Sequence, residues 1–456
     1  MEFLGLSISL ANTPSLDPDF IPMGKFNTAF LQGATVPFSI ALEGLSGQMA
    51  VYHSHLYGTK EKVELDRYYL RRLMKTMLWL YGGYQFYLSG CPDMVPLMAE
   101  DFSKGGIQEF DWDYMANIFE HPFAIQSCDK VPEAVGNAQA IGRHLEGCRI
   151  GFDAGGSDRK VSAVKDGEVL FSEEVVWHPK TQSDPDYHYD GIVSALKAAA
   201  SHLPKVDAVG ISSAGVYLDN QCKSASLFLK VPPDLFAEKV KNIYGRAVED
   251  SFGKVPYAVC NDGDVSALAG AMSLGEDNVL GIAMGTSEAV GFVDQNGCIT
   301  GWLNELAFVP VDASPTAMVD EWSGDIGCGV KYFSQDAVIK LAPKAGITLD
   351  EGLSPAEKLK VVQALMAEED ERAKAIFQSI GVYLGHSLGY YHHFYHFAHV
   401  LLLGRVMSGK GGDIILAVGK KVLAEEYPEV EISLALPDEK SRRVGQSVAA
   451  ASLPKA

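Results

Sequence analysis

Between residues 148 and 170 the chain reads as a strand, a glycine turn and a second extended run that folds back at Asp166-Gly167. Residues 150–153 end one strand, Gly155 and Gly156 permit positive φ in a tight turn, and residues 161–170 resume the extended pattern. A β-hairpin is the fold this pattern predicts. Backbone amides in such a turn can face phosphate oxygens with no Cβ in the way. An acid at the strand end, here Asp153, can hold hydrated Mg²⁺ beside them. Taken alone, the stretch reads more simply as a plain β-turn.

Residues 1 to about 30 are rich in Pro, Asn, Ser and Asp, with Pro14, Pro18 and Pro22, and read as an irregular arm. Strands are predicted at 37–43 and 48–56, a helix over 65–81 and a strand at 85–89 entering a Gly90-Cys91-Pro92 turn. After Cys148 the order recurs: the hairpin ends in a strand at 169–176, then come a helix over 189–203 and a strand at 208–212. The parallel suggests that residues 36–147 are a degenerate copy of the same α/β unit, the alternative being an unrelated appended domain. Helices are expected over 233–252, 265–273, 355–366 and 369–391, and strands at 279–283, 289–293 and 307–311. A last unit runs strand (400–403), helix (412–426), strand (430–435) and helix (438–453). This alternation predicts an α/β architecture.

With 456 residues the chain should hold two or three domains, and 47% hydrophobic with 21% charged residues is ordinary for a globular protein. A net charge of −20 disfavours nucleic acid and anionic membrane as partners. Residues 1–147 carry 10 Lys and Arg against 17 Asp and Glu, so no basic DNA-reading helix is evident there. Seven scattered cysteines without a Cys-x-x-Cys pair indicate neither a disulfide framework nor a zinc ribbon, and fit a reducing compartment. No apolar stretch reaches the length of a membrane span and no secretory signal is evident, so a cytoplasmic location is expected.

Four motifs, in order and at matching spacing, give residues 148–456 a resemblance to sugar kinases of the ROK family (repressor, open reading frame, kinase). The family lies within the actin-like ATPase superfamily. Asp153, Gly155, Gly156 and Ser157 resemble the phosphate-1 hairpin Asp-x-Gly-Gly-Thr, and the likeness implies that Asp153 helps hold Mg²⁺ while the turn approaches the β and γ phosphates. Asn261 and Asp262 fall on the functional positions of Asn-Asp-x-Asn-x-x-Ala-Leu; a plain helix cap is the alternative. A hydroxyl attacking phosphorus needs a carboxylate to orient it and take its proton, which assigns Asp262 as the base. Gly285 and Thr286 match the phosphate-2 turn Gly-Thr-Gly, with Ser287 in place of the second glycine and Glu288 following. A carboxylate there would repel a triphosphate unless turned outward. Gly404, Gly411 and Gly412 belong to a stretch similar to the adenosine motif, with Arg405 where a second glycine is usual.

The acceptor side departs from the family. Its Glu-x-Gly-His element aligns with residues 305–308, anchored by Pro310-Val311-Asp312, so Glu305 is kept as a substrate-binding acid while Phe308 replaces the histidine. The zinc loop is reduced to residues 327–330, leaving Cys328 alone, and no structural zinc is expected. Val330 stands where a second sugar-binding glutamate is common. His392 and His396, four apart, read as packing and a cationic helix end rather than a metal pair.

The resemblance implies an actin-like ATPase fold of two RNase H-like domains preceded by an additional α/β domain. The first would be 148–262 with 437–456, and the second 263–436. It implies ATP and Mg²⁺, a sugar or polyol acceptor bound by Asn261, Asp262 and Glu305, and homodimers, which members often form. A non-catalytic sugar or nucleotide sensor on the same scaffold is the alternative.

Overall fold

The computed structural model describes residues 1–136, 141–436 and 441–456, with residues 437–440 and so the predicted helix start at Asp438 outside them. A short ribbon, β1 (Glu2–Phe3) with β2 (Leu6–Ser7), opens the chain. Helix α1 (Met23–Leu31) then forms where an irregular arm was expected, and buries Phe26 and Phe30, which stand four apart on one face. Next come β3 (Val36–Glu43), β4 (Met49–Leu56), α2 (Val63–Tyr81), β5 (Gln85–Ser89), α3 (Met94–Asp101), α4 (Glu109–Phe119) and β6 (Ala124–Ser127). Their sheet runs β4-β3-β5-β6, with β3 antiparallel to both β4 and β5.

The predicted hairpin is present and extends to a third strand: β7 (Cys148–Ala154), β8 (Asp158–Lys165) and β9 (Glu168–Val176). Asp166 and Gly167 both take positive φ at the second turn. After α5 (Pro185–Ala200) and β10 (Ala208–Ser213), a small ribbon of β11 (Val216–Leu218) and β12 (Gln221–Ser224) follows. The helix expected over 233–252 is broken: α6 (Pro233–Leu235) passes through a π turn before α7 (Ile243–Phe252). Strand β13 (Tyr257–Asn261) leads into α8 (Asp262–Leu274). The sheet order is β13-β10-β7-β8-β9, with β10 parallel to β7 and β13 parallel to β10.

The same wiring recurs in β14 (Val279–Met284) and β15 (Glu288–Val293). Helices α9 (Gln335–Lys344), α10 (Pro355–Ala367) and α11 (Glu371–Tyr395) then precede β16 (His399–Leu403), α12 (Lys410–Glu426) and β17 (Ser433–Ala435). Sheet order is β15-β14-β16-β17, β14 being antiparallel to β15 and parallel to β16. The strand expected at 307–311 is instead a 3₁₀ turn, Leu306–Phe308, followed by an isolated bridge between Pro310 and Cys328.

Helix α13 (Ser441–Ala451) packs back on the first sheet. Gly151 and Gly210 pair in register on β7 and β10, and a Cβ on either would come within 1.7 Å of α13 backbone oxygens. Glycine at these two points lets the helix lie against the strands.

The N-terminal sheet does not repeat this topology. Its β3–β5 pair is antiparallel, where the equivalent pairs β7–β10 and β14–β16 are parallel. A shared order of elements did not carry a shared wiring. The region also lacks a separate core. Phe26, Met77 and Phe86 fall in one continuous apolar cluster with Leu280, Phe377 and Leu402 of the last lobe, whereas Phe152, Leu196 and Ile211 form a core of their own. The proline-rich arm is docked as well: Ile21 donates to Asp312, and Asp17 accepts from Tyr383. Among the described residues no helix is long and apolar enough to cross a membrane.

Candidate active site

Parallel pairing sets the first part of the site. Asp153, Ser212 and Asn261 lie at the carboxyl ends of β7, β10 and β13, with Asp153 beside Ser212 and Ser213 beside Asn261 in the ladder. The crevice at such strand ends is where open α/β sheets place ligands. Ser212 Oγ donates to Asp153 Oδ1 at 2.8 Å, and Oδ2 accepts no hydrogen bond among the described residues. Burial pushes the Asp153 carboxyl up to about 6 against that hydrogen bond, and the nearby Asp262 charge adds to the rise.

The turn after β7 is braced by Trp177, whose ring N–H donates to Gly155 O at 2.7 Å and whose backbone N–H donates to Ser157 O at 3.1 Å. Neither Gly155 nor Gly156 has a positive φ, so the expected reason for glycine is corrected. Space is the reason at Gly155, where a Cβ would sit 2.6 Å from Asp158 O; at Gly156 a Cβ would meet only the flexible end of the Lys180 side chain, 2.8 Å away at Cε. Ser157 is exposed, and its hydroxyl reaches only Asp158, at 3.4 Å.

Asp262 is the first residue of α8, half-buried, and Asn261 is the cap before it. Asn261 Oδ1 accepts from Gly263 N at 2.7 Å and Nδ2 donates to Gly215 O at 2.7 Å, so the cap role is fulfilled and one Nδ2 hydrogen is left over. Burial raises the Asp262 carboxyl above the ordinary aspartate value, opposed by the Gly263 amide and by the positive charge of Lys180. Two residues further on, Asp264 stands where the family element has asparagine. It accepts from Asn304 Nδ2 at 2.8 Å and from Phe292 N at 3.3 Å, and burial pushes it up to about 7.

Glu305 is positioned from far away. The last carbonyls of α2, on Trp79, Leu80 and Tyr81, accept from the amides of Glu305, Asn304 and Leu303 at 2.9, 3.0 and 3.3 Å. Carbonyls that a helix C-terminus leaves open are thereby satisfied by the acceptor segment. Glu305 is pushed up to about 7 by burial and by the charges of Asp262 and Asp264. Phe308 is covered by the N-terminal region, its ring 4.2 Å from that of Trp79 and 6.0 Å from that of Phe110, with Trp322 on the open side.

Beneath this aromatic cluster lies a buried ion network. Lys75 Nζ meets Asp111 at 3.0 Å and Asp325 at 2.9 Å, and Arg72 meets Asp325 at 2.7 Å. Burial works against the Asp325 carboxylate, but Lys75 and Arg72 together overcome it and hold the group far below the usual range. Asp111, with one cation and Asp325 nearby, is raised by burial. Burial also pushes the adjoining Cys328 thiol up to about 12. Among the described residues no group of three or more His, Cys, Asp or Glu is arranged to hold a metal ion. His392 and His396 pack edge to face at 5.8 Å, and His396 closes α11 with a φ of 52°.

Gly285, Thr286 and Gly404 form a separate group on the last lobe. Gln335, at the start of α9, donates its backbone N–H to Gly285 O at 2.9 Å, and Thr286 is exposed. Gly404 has a φ of 93° and rests on Met284, whose oxygen would be 2.3 Å from a Cβ, so the loop after β16 needs glycine. Glu288 does not face this turn. It is buried against Gly329, with both carboxyl oxygens lacking a hydrogen bond, and burial followed by the Glu305 charge raises it well above the usual range. Its carboxyl is therefore turned into the core and not presented at the turn. Arg405 is exposed.

Asp262 thus lies within electrostatic reach of Asp153, Asp264 and Glu305, and Asp264 and Glu305 of each other. Ser212, Lys180 and the end of α2 join them without a signal in the sequence, since only tertiary pairing brings them there.

Two sheets of one wiring, each with parallel strand ends, define an actin-like ATPase fold. The chain belongs to the ROK family, whose profile matches residues 149–437. Among solved structures, a ROK hexokinase from Thermus thermophilus is similar at 17% identity and a TM-score of 0.53, over 67% of this chain and 96% of that one. A ROK family transcriptional regulator, homolog of the E. coli MLC protein, also gives 17% identity and a TM-score of 0.53, over 67% of this chain and 78% of its own. No curated protein matches the chain in sequence.

Proposed function

We propose that this protein is an ATP-dependent phosphotransferase acting on a hydroxyl of a sugar or related polyol. The observation that carries the reading is Asp262: a half-buried carboxylate at a helix start, whose charge is felt by both Asp153 and Glu305. The acceptor hydroxyl is held by Glu305 and the spare Asn261 hydrogen. Asp262 accepts the hydroxyl proton as the oxygen attacks the γ-phosphorus, and the bond to the β-phosphate oxygen breaks to release ADP. Asp153 suits Mg²⁺, since one oxygen is fixed by Ser212 and the other is open; the bound ion would neutralise charge on the β and γ phosphates. A single carboxylate suffices, because Mg²⁺ in such sites takes its other ligands from phosphates and water. The turns at Gly155, Gly156, Ser157, Gly285 and Thr286 would cradle the phosphates, with Gly404 beside the nucleoside. The reading treats 148–262 with 437–456, and 263–436, as two lobes acting across one site.

The ROK hexokinase supports a sugar as acceptor. The regulator keeps a binding-only role open, and the observation in its favour is the apolar filling at Phe308 and Val330, which removes two polar contacts to a sugar. Asp262→Asn separates the two: turnover lost with ATP binding kept supports transfer, whereas unchanged turnover refutes the assignment.

A further inference from the structure

The site is crowded with carboxyls: Asp262 lies within electrostatic reach of Asp153, Asp264 and Glu305. A triphosphate brought here meets repulsion unless cations oppose it, and one Mg²⁺ offsets only part of its charge. Of the neighbouring cations, Lys160 pairs with Asp158 at 3.1 Å, and the half-buried Arg159, without an ion pair among the described residues, lies with its guanidinium against the Trp177 ring at 5.9 Å. Lys180 differs. It is exposed and has no hydrogen bond or ion pair among the described residues, yet its stem crosses the phosphate-1 turn, where a Cβ on Gly156 would lie 3.0 Å from Nζ. Its charge also reaches Asp262.

The placement is built. Lys180 sits on the short turn Pro179–Thr181, and Pro179 O accepts from buried His188 Nε2 at 3.0 Å. On the other side, Trp177 is tied to Gly155 and Ser157 of the phosphate-1 turn itself. The turn and the lysine are therefore parts of one braced unit, and the glycine at 156 makes room for the lysine stem.

Building on the phosphotransfer reading, we infer that Lys180 is the protein cation that binds the γ-phosphoryl group between the phosphate-1 turn and Asp262. An ammonium there meets the negative charge carried by the transferring group. Because it touches the terminal phosphate and not the nucleoside, it discriminates ATP from ADP.

Calorimetry with Mg-ATP and with Mg-ADP on the wild type, Lys180→Met and Lys180→Arg tests this, with turnover measured in parallel. The Met variant should bind Mg-ATP about 10- to 100-fold more weakly and Mg-ADP nearly as the wild type does, with the Arg variant in between. The unfolding temperature should not move, since Lys180 makes no hydrogen bond or ion pair. Equal Mg-ATP affinity in wild type and Met variant, or equal losses for ATP and ADP, overturns the inference. A wild type that binds Mg-ATP but turns over no acceptor sinks the kinase reading while the affinity ratio still judges Lys180. A wild type that binds no Mg-ATP overturns both.

Discussion

On the phosphate side of the site, Asp153 and the Gly155-Gly156 turn are neighbours in sequence and sit in a lobe with its own apolar core. On the acceptor side, Glu305 is fixed by amides bound to the end of α2, and Phe308 is roofed by Trp79 and Phe110 from the same N-terminal region. That region shares its core with the last lobe. It also reaches the first lobe, where Glu120 pairs with Lys223 at 3.2 Å and with Lys241. One side is thus a local motif and the other a long-range assembly. A change in the N-terminal region should alter the acceptor side and leave the phosphate side intact.

The largest effect is expected where the two sides meet. Asp262→Asn should lower kcat by about 10²- to 10⁴-fold while Mg-ATP affinity is kept, because the lost group acts on the proton in flight. Next, Lys75→Met leaves Asp111 and Asp325 buried with less counter-charge. It should cost about 3–5 kcal/mol of unfolding free energy in denaturant titration. In the protein that remains folded, KM for the acceptor should rise with Mg-ATP affinity unchanged. A parallel fall in both would break the comparison.

A smaller effect concerns pH. Burial pushes the Asp264 carboxyl up to about 7 in the folded protein, above its ordinary 3.8. The folded state therefore holds this proton more tightly than the unfolded chain does. The stability it contributes is complete below pH 3.8 and is lost as pH rises through about 7. Asp264→Asn should remove that decline, so thermal unfolding of the variant exceeds the wild type at alkaline pH and the gap closes on acidification. A gap independent of pH would contradict the assignment. Least of all, Arg405→Ala should change nucleotide affinity by no more than about threefold, since the exposed side chain is free to turn aside.

The hairpin that carries Asp153 was legible because its information is local: strand, acid, two glycines, strand. Even there the reason for glycine is not φ, which is ordinary at both: the Asp158 carbonyl leaves no room for a Cβ on Gly155, and one on Gly156 meets only the movable end of Lys180. Helix α1 was hidden among prolines, its signal being only Phe26 and Phe30 on one face. Helices α3, α4 and α9 and strand β6 went unread, as did the break before α7. The segment after Glu305 was taken for a strand because it is apolar, but its apolar side chains face α2 and the aromatic cluster instead of a sheet. Glu288 illustrates the limit: sequence places it beside a phosphate turn, whereas alternation along β15 turns it into the core. The hold of α2 on Glu305 is invisible to any local reading.

The most direct test of the central claim is a coupled ADP-release screen of the full chain with Mg-ATP over hexoses, amino sugars and polyols, run beside Asp262→Asn. The account predicts acceptor-dependent ADP release by the wild type and its loss in the variant. Silence across the panel from folded protein that binds a sugar would contradict it.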